Sequence, residues 1–391
     1  MLREVKKTMF IFLFSLLICS CDAADNSMNS TDSLIIDHTC TNIFDVPVEY
    51  IAAAKQKLVI AYGHTSHGSQ IISGMYGLDD FMTANGYADA LFDFNSDGSN
   101  GALQLRDGPF SGAEDLGNPD RSSWATSTRN YLNDHSEVNV IMWSWCGQVG
   151  WASKEEIDSY LSLMNALETD FPKVTFVYMT GHLDGSGKDG QLNTRNNQIR
   201  EYCRANKKVL FDFADIESYD PDGKVNYMEM NANDNCDYTT ATGESKNWAT
   251  IWQESHTENT DWYNCDAAHS QALNGNRKAF AAWWLFARLA GWKKSDSGLS
   301  SAITSSQQMR WSVVGDCLKF EFEKAAKLTK IAVYNLQGEE LYSEEIQNCS
   351  SFRDSYSLFL SNLYDSEKRN IMFFKVATSL GNYTGKFMLN R

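Results

Sequence analysis

The apolar run Leu58-Val59-Ile60-Ala61-Tyr62-Gly63 breaks into His64-Thr65-Ser66-His67-Gly68-Ser69, a turn of hydroxyls, imidazoles and glycines. A serine just past a buried strand stands where open α/β sheets bind ligands, so Ser66 is the candidate nucleophile. A serine hydroxyl needs a base within hydrogen-bond reach. Asp266-Ala267-Ala268-His269 offers one: its spacing lets a single turn aim both side chains inward, with His269 as base and Asp266 as orienter of the imidazole. The developing oxyanion needs fixed donors. Gln148 offers a side-chain amide and Ser66 its own N–H.

Each residue also has a plainer reading. Ser66 could cap a helix starting near Gly68, and Ser69, the rival nucleophile, fits that N-cap role better. An Asp-x-x-His sequence also occurs as an ion pair at a helix start. Gln148 could cap its loop, Cys146 reads as a small buried hydrophobe, and Trp143 and Trp145 either line a sugar or acyl cleft or pack in the core.

A second strand end, Thr180-Gly181-His182-Leu183-Asp184-Gly185, adds an imidazole and a carboxylate to the same edge. His64, His67, His182 and His269 with Asp184 make a metal site the alternative chemistry. No HExxH or CxxC spacing supports it, so no cofactor is expected. His64 and His182 are assigned to substrate binding. Asn193, Arg195 and Asn196 either contact substrate oxygens or cap a helix, and Asp220-Pro221-Asp222-Gly223 reads as a turn.

The elements that must position these residues alternate along the chain. Strand-like runs at Leu58–Tyr62, Ala90–Phe94, Val138–Trp143, Val174–Met179 and Val209–Phe213 alternate with helical patterns, the rhythm of a five-stranded, parallel, doubly wound sheet of the α/β class. Ser153 and Glu156 form a capping box ahead of a helix bearing Ile157, Tyr160, Leu161 and Met164. The last helix, Gln271–Leu289, carries Phe280, Trp283, Trp284, Phe286 and Leu289 as a core stripe. Residues 38–293 form this main domain, a Ser-rich linker follows at 294–308, and short alternating runs at 309–391 predict a small β-sandwich.

At the N-terminus, Arg3, Lys6 and Lys7 precede the apolar run Met9–Ile18, the shape of a signal peptide over residues 1–21. Ile18-Cys19-Ser20-Cys21 resembles a lipobox, making Cys21 a candidate lipid anchor, with plain secretory cleavage nearby as the alternative, and residues 22–37 read as a polar tether. The expectation is an exported bacterial protein, at the cell surface or extracellular. Export permits disulfides; Cys236 with Cys265, and Cys317 with Cys349, are the candidate pairs among nine cysteines. A net charge of −16 without a basic stripe excludes nucleic acid as a partner.

The turn around Ser66, the strand end Trp145-Cys146-Gly147-Gln148 and Asp266-x-x-His269, in that order over residues 50–292, resemble blocks of the SGNH (GDSL-like) hydrolase superfamily. Gly-Asp-Ser itself is absent, and Gln148 stands near the family's usual asparagine; the glycine amide that is the family's usual third oxyanion donor would fall at Gly112 or Gly101, both after the second expected strand. Residues 331–338, 360–363 and 383–387 resemble the C-terminal sorting domain of type IX secretion cargo, which implies a partnership with secretion machinery. The first resemblance implies a three-layer α/β/α fold and a serine esterase acting on an acylated carbohydrate or other extracellular ester. The alternatives are a non-catalytic surface protein that binds glycans and a metal-dependent hydrolase.

Overall fold

The computed structural model describes residues 33–293 and the strand segments 309–314, 317–326, 328–335, 340–345, 353–359, 370–378 and 381–389. The expected signal peptide, the lipobox, most of the tether, the linker and Cys349 lie outside the described residues.

In chain order the first part comprises β1 (Leu34–Ile36), α1 (Val48–Lys57), β2 (Val59–Gly63), α2 (Ser66–Ala84), β3 (Phe94–Asn95), β4 (Leu103–Asp107), α3 (Ser123–Asp134) and β5 (Val140–Trp143). There follow α4 (Lys154–Asp170), β6 (Thr175–Met179), α5 (Gln191–Ala205), β7 (Val209–Phe211), α6 (Phe213–Ile216), the pair β8 (Asp237–Thr239) and β9 (Ser245–Asn247), α7 (Trp248–Glu254) and α8 (Ala272–Leu289). One parallel sheet of seven strands runs in the order β1-β7-β6-β5-β2-β4-β3. The order reverses at β2, between β4 on one side and β5 on the other.

Four of the expected strands are β2, β5, β6 and β7, with ends shifted by a residue or two. The fifth was misplaced: of Ala90–Phe94 only Phe94 is in a strand, the two-residue β3, and the full second strand is β4. Leu103 and Leu105 are buried while Gln104 and Arg106 are half-exposed, so β4 lacks the continuous apolar run of its neighbours. The fold also starts earlier than expected, because Leu34–Ile36 pairs with β7. Three apolar residues after a polar stretch are too few to signal a strand.

Alternate strand residues face two cores. Ile60, Tyr62, Met142 and Val177 pack with α1, α2 and α8, whereas Ala61, Ile141, Phe176 and Tyr178 pack with α3, α4 and α5. The expected capping box starts α4: Ser153 Oγ accepts from the Glu156 amide at 3.2 Å, and the Glu156 carboxylate accepts from the Ser153 amide at 2.7 Å. Every residue of α8 from Leu273 to Ala287 is buried, the pattern of a helix sunk within a core. It crosses α2 closely, since a side chain at Gly74 would collide with the Gly275 carbonyl.

The C-terminal strands are β10 (Met309–Val314), β11 (Cys317–Ala326), β12 (Leu328–Tyr334), β13 (Glu340–Glu345), β14 (Arg353–Phe359), β15 (Asn370–Thr378) and β16 (Gly381–Leu389). They form two antiparallel sheets, β10-β11-β14 and β13-β12-β15-β16. Leu318, Phe320, Ile331, Val333, Leu358 and Phe374 form their buried core.

Candidate active site

The glycines of the first motif explain its local structure. A side chain at Gly68 would strike Ser144 Oγ, His64 Cβ and the Tyr62 hydroxyl, so glycine alone lets the first turn of α2 settle onto the ends of β2 and β5. Tyr62 locks the turn by donating its hydroxyl to the Gly68 carbonyl at 3.0 Å. The result puts Ser66 at the first position of α2, with Thr65 as N-cap. The Thr65 hydroxyl does not cap the helix but donates to Asp115 at 2.6 Å. Three first-turn amides, those of Ser66, His67 and Gly68, therefore keep free N–H groups at the positive end of the helix dipole. Ser69 is not the N-cap expected of it; its hydroxyl lies inside the first turn and donates to the Ser66 carbonyl at 2.7 Å.

His269 meets Ser66 as expected. Its Nε2 lies 2.9 Å from Ser66 Oγ, across 203 residues of sequence. The loop that carries it is pinned on both sides. Gln70 donates to the Ala268 carbonyl at 2.5 Å, and Ser270 donates to the Asp234 carbonyl at 2.6 Å. Gln70 is held in turn by Lys278, which also pairs with Glu217 at 2.6 Å; lysine and glutamate are both fully buried. Glu217 accepts from the Leu183 amide as well, so one ion pair braces the His269 loop and the His182 strand end. Burial pulls the Lys278 pKa below its ordinary value, against the pull of Glu217.

Asp266 does not complete the triad. The chain turns left-handed at His269 (φ +64°), and Asp266 stays exposed with no hydrogen bond to the imidazole. The ring packs instead against His67, with centroids 4.6 Å apart.

Beside Ser66 it is His67, not His269, that pairs with a carboxylate. His67 Nδ1 lies 3.2 Å from Cys146 Sγ, and its Nε2 lies 2.9 Å from Asp234 Oδ2. Cys146 Sγ is 3.8 Å from Ser66 Oγ. The thiol is half-exposed and hydrogen-bonded, so the expectation of a buried hydrophobe fails. Burial would lower the His67 pKa, but bonds to Asp234 and Cys146 outweigh it and hold His67 at about 9. The bond from His67, working against desolvation, brings Cys146 down to about 7. Below His67, the ring of His182 stacks at 3.6 Å and 1°. Burial depresses the His182 pKa; its Nδ1 lies 2.7 Å from the Leu183 carbonyl, and its Nε2 is buried without a partner.

The other expected residues fare differently. Gln148 sits beside the site but is already engaged: its oxygen accepts from the Cys146 amide at 2.8 Å, and its amide donates to Asp115 at 3.1 Å. That is the loop-cap role, with only one N–H left over. His64 turns to Asp107 at 2.6 Å and to its neighbour's carbonyl at 3.0 Å. Gly101 precedes β4 and so lies at the wrong end of the strand. Gly112 follows β4 but is exposed (φ +94°), with no hydrogen bond to the site. Asn193 bonds the Lys188 carbonyl and Arg200 on α5 and touches none of the site residues. Arg195 donates to Gln198, and Asn196 makes two hydrogen bonds with the Gly181 backbone, accepting from its N–H and donating to its carbonyl, that fix the end of β6. Trp143 and Trp145 are buried and bonded to Thr128 and Met179. Trp151, two residues past Val149, is the tryptophan that reaches solvent here, 66% exposed and leaning over Gly147.

The metal set is not assembled as expected. Asp184 bonds Ser186 and His64 bonds Asp107, leaving His67, His182 and Asp234 close together. Parallel rings 3.6 Å apart cannot both direct in-plane lone pairs at one ion, and both nitrogens of His67 are in use. The expected Cys236–Cys265 disulfide is also absent. Both are free thiols, Cys236 beside the Ser270 hydroxyl and Cys265 donating to the Ala272 carbonyl. Asp220–Gly223 is a turn, closed by a 3.0 Å bond between its ends.

No protein-family profile matches the chain, and no curated protein matches it. Among solved structures it is similar to a DUF3244-family protein with an immunoglobulin-like β-sandwich fold from Bacteroides vulgatus (13% identity, 21% of this chain and 85% of that one, TM-score 0.18). It is also similar to a Cellulomonas fimi endo-β-1,4-mannanase double mutant (11% identity, 73% and 54%, TM-score 0.20) and to a Bacteroides uniformis β-glucuronidase (8% identity, 68% and 27%, TM-score 0.18). The chain spans about half of the mannanase and about a quarter of the glucuronidase. At these TM-scores the likenesses carry no argument about fold or activity.

Proposed function

We propose that the main domain is an acyl hydrolase in which Ser66 attacks an ester carbonyl and His269 serves first as general base and then as general acid. The observation that carries this is the 2.9 Å approach of His269 Nε2 to Ser66 Oγ at the start of α2. The serine proton passes to His269 as the C–O bond forms, and the oxyanion takes the free first-turn amides of α2. On leaving, the alcohol takes that proton back; water then repeats the cycle and frees the acid.

The same reading takes the main domain as a three-layer, doubly wound fold of SGNH type, with its site at the switch point between β2 and β5. An acylated carbohydrate is the favoured substrate class, supported by Trp151 as an exposed aromatic at the rim. The C-terminal sheets are read as a small sorting sandwich on an exported protein, engaging secretion machinery; deleting residues 309–391 should then abolish surface delivery.

The test is turnover of p-nitrophenyl acetate and butyrate together with fluorophosphonate labelling. Ser66→Ala should abolish the label and lower kcat by several orders of magnitude, since members of such a unit act together. A folded Ser66→Ala protein that turns over these esters at the wild-type rate sinks the proposal.

A further inference from the structure

Ser66 and His269 leave a second set of groups in the same cleft unexplained. His67 lies between a thiol and a carboxylate, using one nitrogen for each, 3.2 Å to Cys146 Sγ and 2.9 Å to Asp234 Oδ2. The side chains come from three separate elements: the first turn of α2, the end of β5 and the loop before β8. Helix periodicity or local capping does not bring such groups together. His67 is further fixed by the face-to-face contact with His182. A nucleophile, a base oriented by a carboxylate, and a half-exposed position within 3.8 Å of Ser66 Oγ satisfy the geometric requirements of covalent catalysis.

We propose that Cys146, His67 and Asp234 form a second acyl-transfer centre that takes its acyl group from an amide. The choice of amide follows from the leaving group: an amine departs only when protonated, and His67, clamped between Cys146 and Asp234, is held in the form that can protonate it. His269, exposed and without a carboxylate partner, is better suited to an alcohol. The thiolate adds to the amide carbonyl, forming the C–S bond as the carbonyl π electrons move to oxygen. The oxyanion takes the same free α2 amides that serve Ser66. Collapse breaks the C–N bond, and the nitrogen leaves with its electron pair and the proton of His67 Nδ1. Neutral His67 then removes a proton from water attacking the thioester, the C–S bond breaks, and carboxylic acid, amine and thiolate result, with His67 protonated again. The overall balance is amide plus water to acid plus amine. Thiolate character at Cys146, promoted by His67, supports the same assignment.

The experiment uses the full chain and two probes. In folded Ser66→Ala protein, p-nitrophenyl acetate should leave an acetyl group on the Cys146 peptide that neutral hydroxylamine removes, as it does thioesters but not oxygen esters. Iodoacetamide should alkylate wild-type Cys146 with a midpoint near pH 7. In His67→Asn or Asp234→Asn the rate at pH 6 should fall, by about tenfold for His67→Asn, as the thiol returns toward its ordinary pKa of about 8.5. Acetyl-p-nitroanilide turnover should be lost in Cys146→Ala. An unacylated Cys146 in folded Ser66→Ala, or alkylation unaffected by either His67 or Asp234 substitution, overturns the inference. Fluorophosphonate labelling of Ser66 in the wild type keeps the two proposals separable: label without S-acetylation defeats this centre alone, and S-acetylation without label defeats the serine reading alone.

Discussion

Two histidine rings with centroids 4.6 Å apart face a hydroxyl and a thiol 3.8 Å apart, and the fold holds the two pairs in opposite ways. His67 is buried, uses both nitrogens and lies flat on His182. His269 is exposed, sits at a positive φ and offers one nitrogen to Ser66, while its expected partner Asp266 stays in solvent. The difference separates two means of placing an imidazole. One fixes the ring directly by hydrogen bonds; the other fixes the backbone on either side, through Ala268 and Ser270, and leaves the ring to Ser66.

The largest expected effect tests this contrast at its weaker pair. Replacing His269 by alanine should lower kcat/KM for p-nitrophenyl acetate by roughly 10²–10⁴-fold, the usual contribution of a positioned base. Asp266→Asn should leave it essentially unchanged, because the carboxylate makes no bond to the ring. If Asp266→Asn were as damaging as His269→Ala, the loop would have to rearrange in solution into a full triad, and the contrast with His67 would vanish.

The backbone brace supplies the next test. Lys278→Met removes one partner of a buried ion pair and strands the Glu217 charge, which in other proteins costs about 3–5 kcal/mol. Urea unfolding should show that loss. Because Lys278 also holds Gln70, and Gln70 holds Ala268, ester turnover should fall as well, whereas iodoacetamide reactivity of Cys146 should persist in the folded fraction. Loss of both readouts in folded protein would mean the two pairs share one support.

Legibility in the sequence divides along the same line. Ser66 and His269 were legible because each stands where a regular element stops: an apolar strand running into a hydroxyl-rich turn, and a polar turn before a long apolar helix. The supporting residues were not. Gln70, Glu217 and Lys278 are polar residues that a pattern assigns to the solvent side, yet here they satisfy one another in the core. Asp234 lies in the Asn-rich stretch before β8, where no period marks a direction, and only tertiary folding brings it to His67. β4 is not legible because its half-exposed Gln104 and Arg106 break the apolar run, and a second strand placed instead at Ala90–Phe94 sets Gly101 beyond its carboxyl end, among the oxyanion candidates. The paired cysteines were inferred from flanking a loop, and each thiol instead has an oxygen beside it.

A smaller effect comes from the turn that sets both Ser66 and His67. Gly68→Ala would place a methyl group into Ser144 Oγ and the Tyr62 hydroxyl. Overpacking of this kind typically costs about 1–3 kcal/mol. It should also lift the first turn of α2, so ester turnover and Cys146 alkylation should decline together. A decline in one alone would show that the two pairs are not set by this common turn.

The smallest effect concerns Ser69, the alternative nucleophile of the same motif. Its hydroxyl donates to the Ser66 carbonyl inside the first turn of α2, while the N-cap position belongs to Thr65. Ser69→Ala therefore removes a single half-buried hydrogen bond and should cost about 0.5–1.5 kcal/mol, measurable as a small shift in the urea midpoint. The Ser66 carbonyl keeps its helical environment, and neither His269 nor His67 touches Ser69, so fluorophosphonate labelling and kcat/KM should match the wild type. Labelling lost in Ser69→Ala but kept in Ser66→Ala would transfer the nucleophile to Ser69. His269 would then have to leave its present position beside Ser66, and the distinction between a ring-fixed and a backbone-fixed base would have to be redrawn around a different turn geometry.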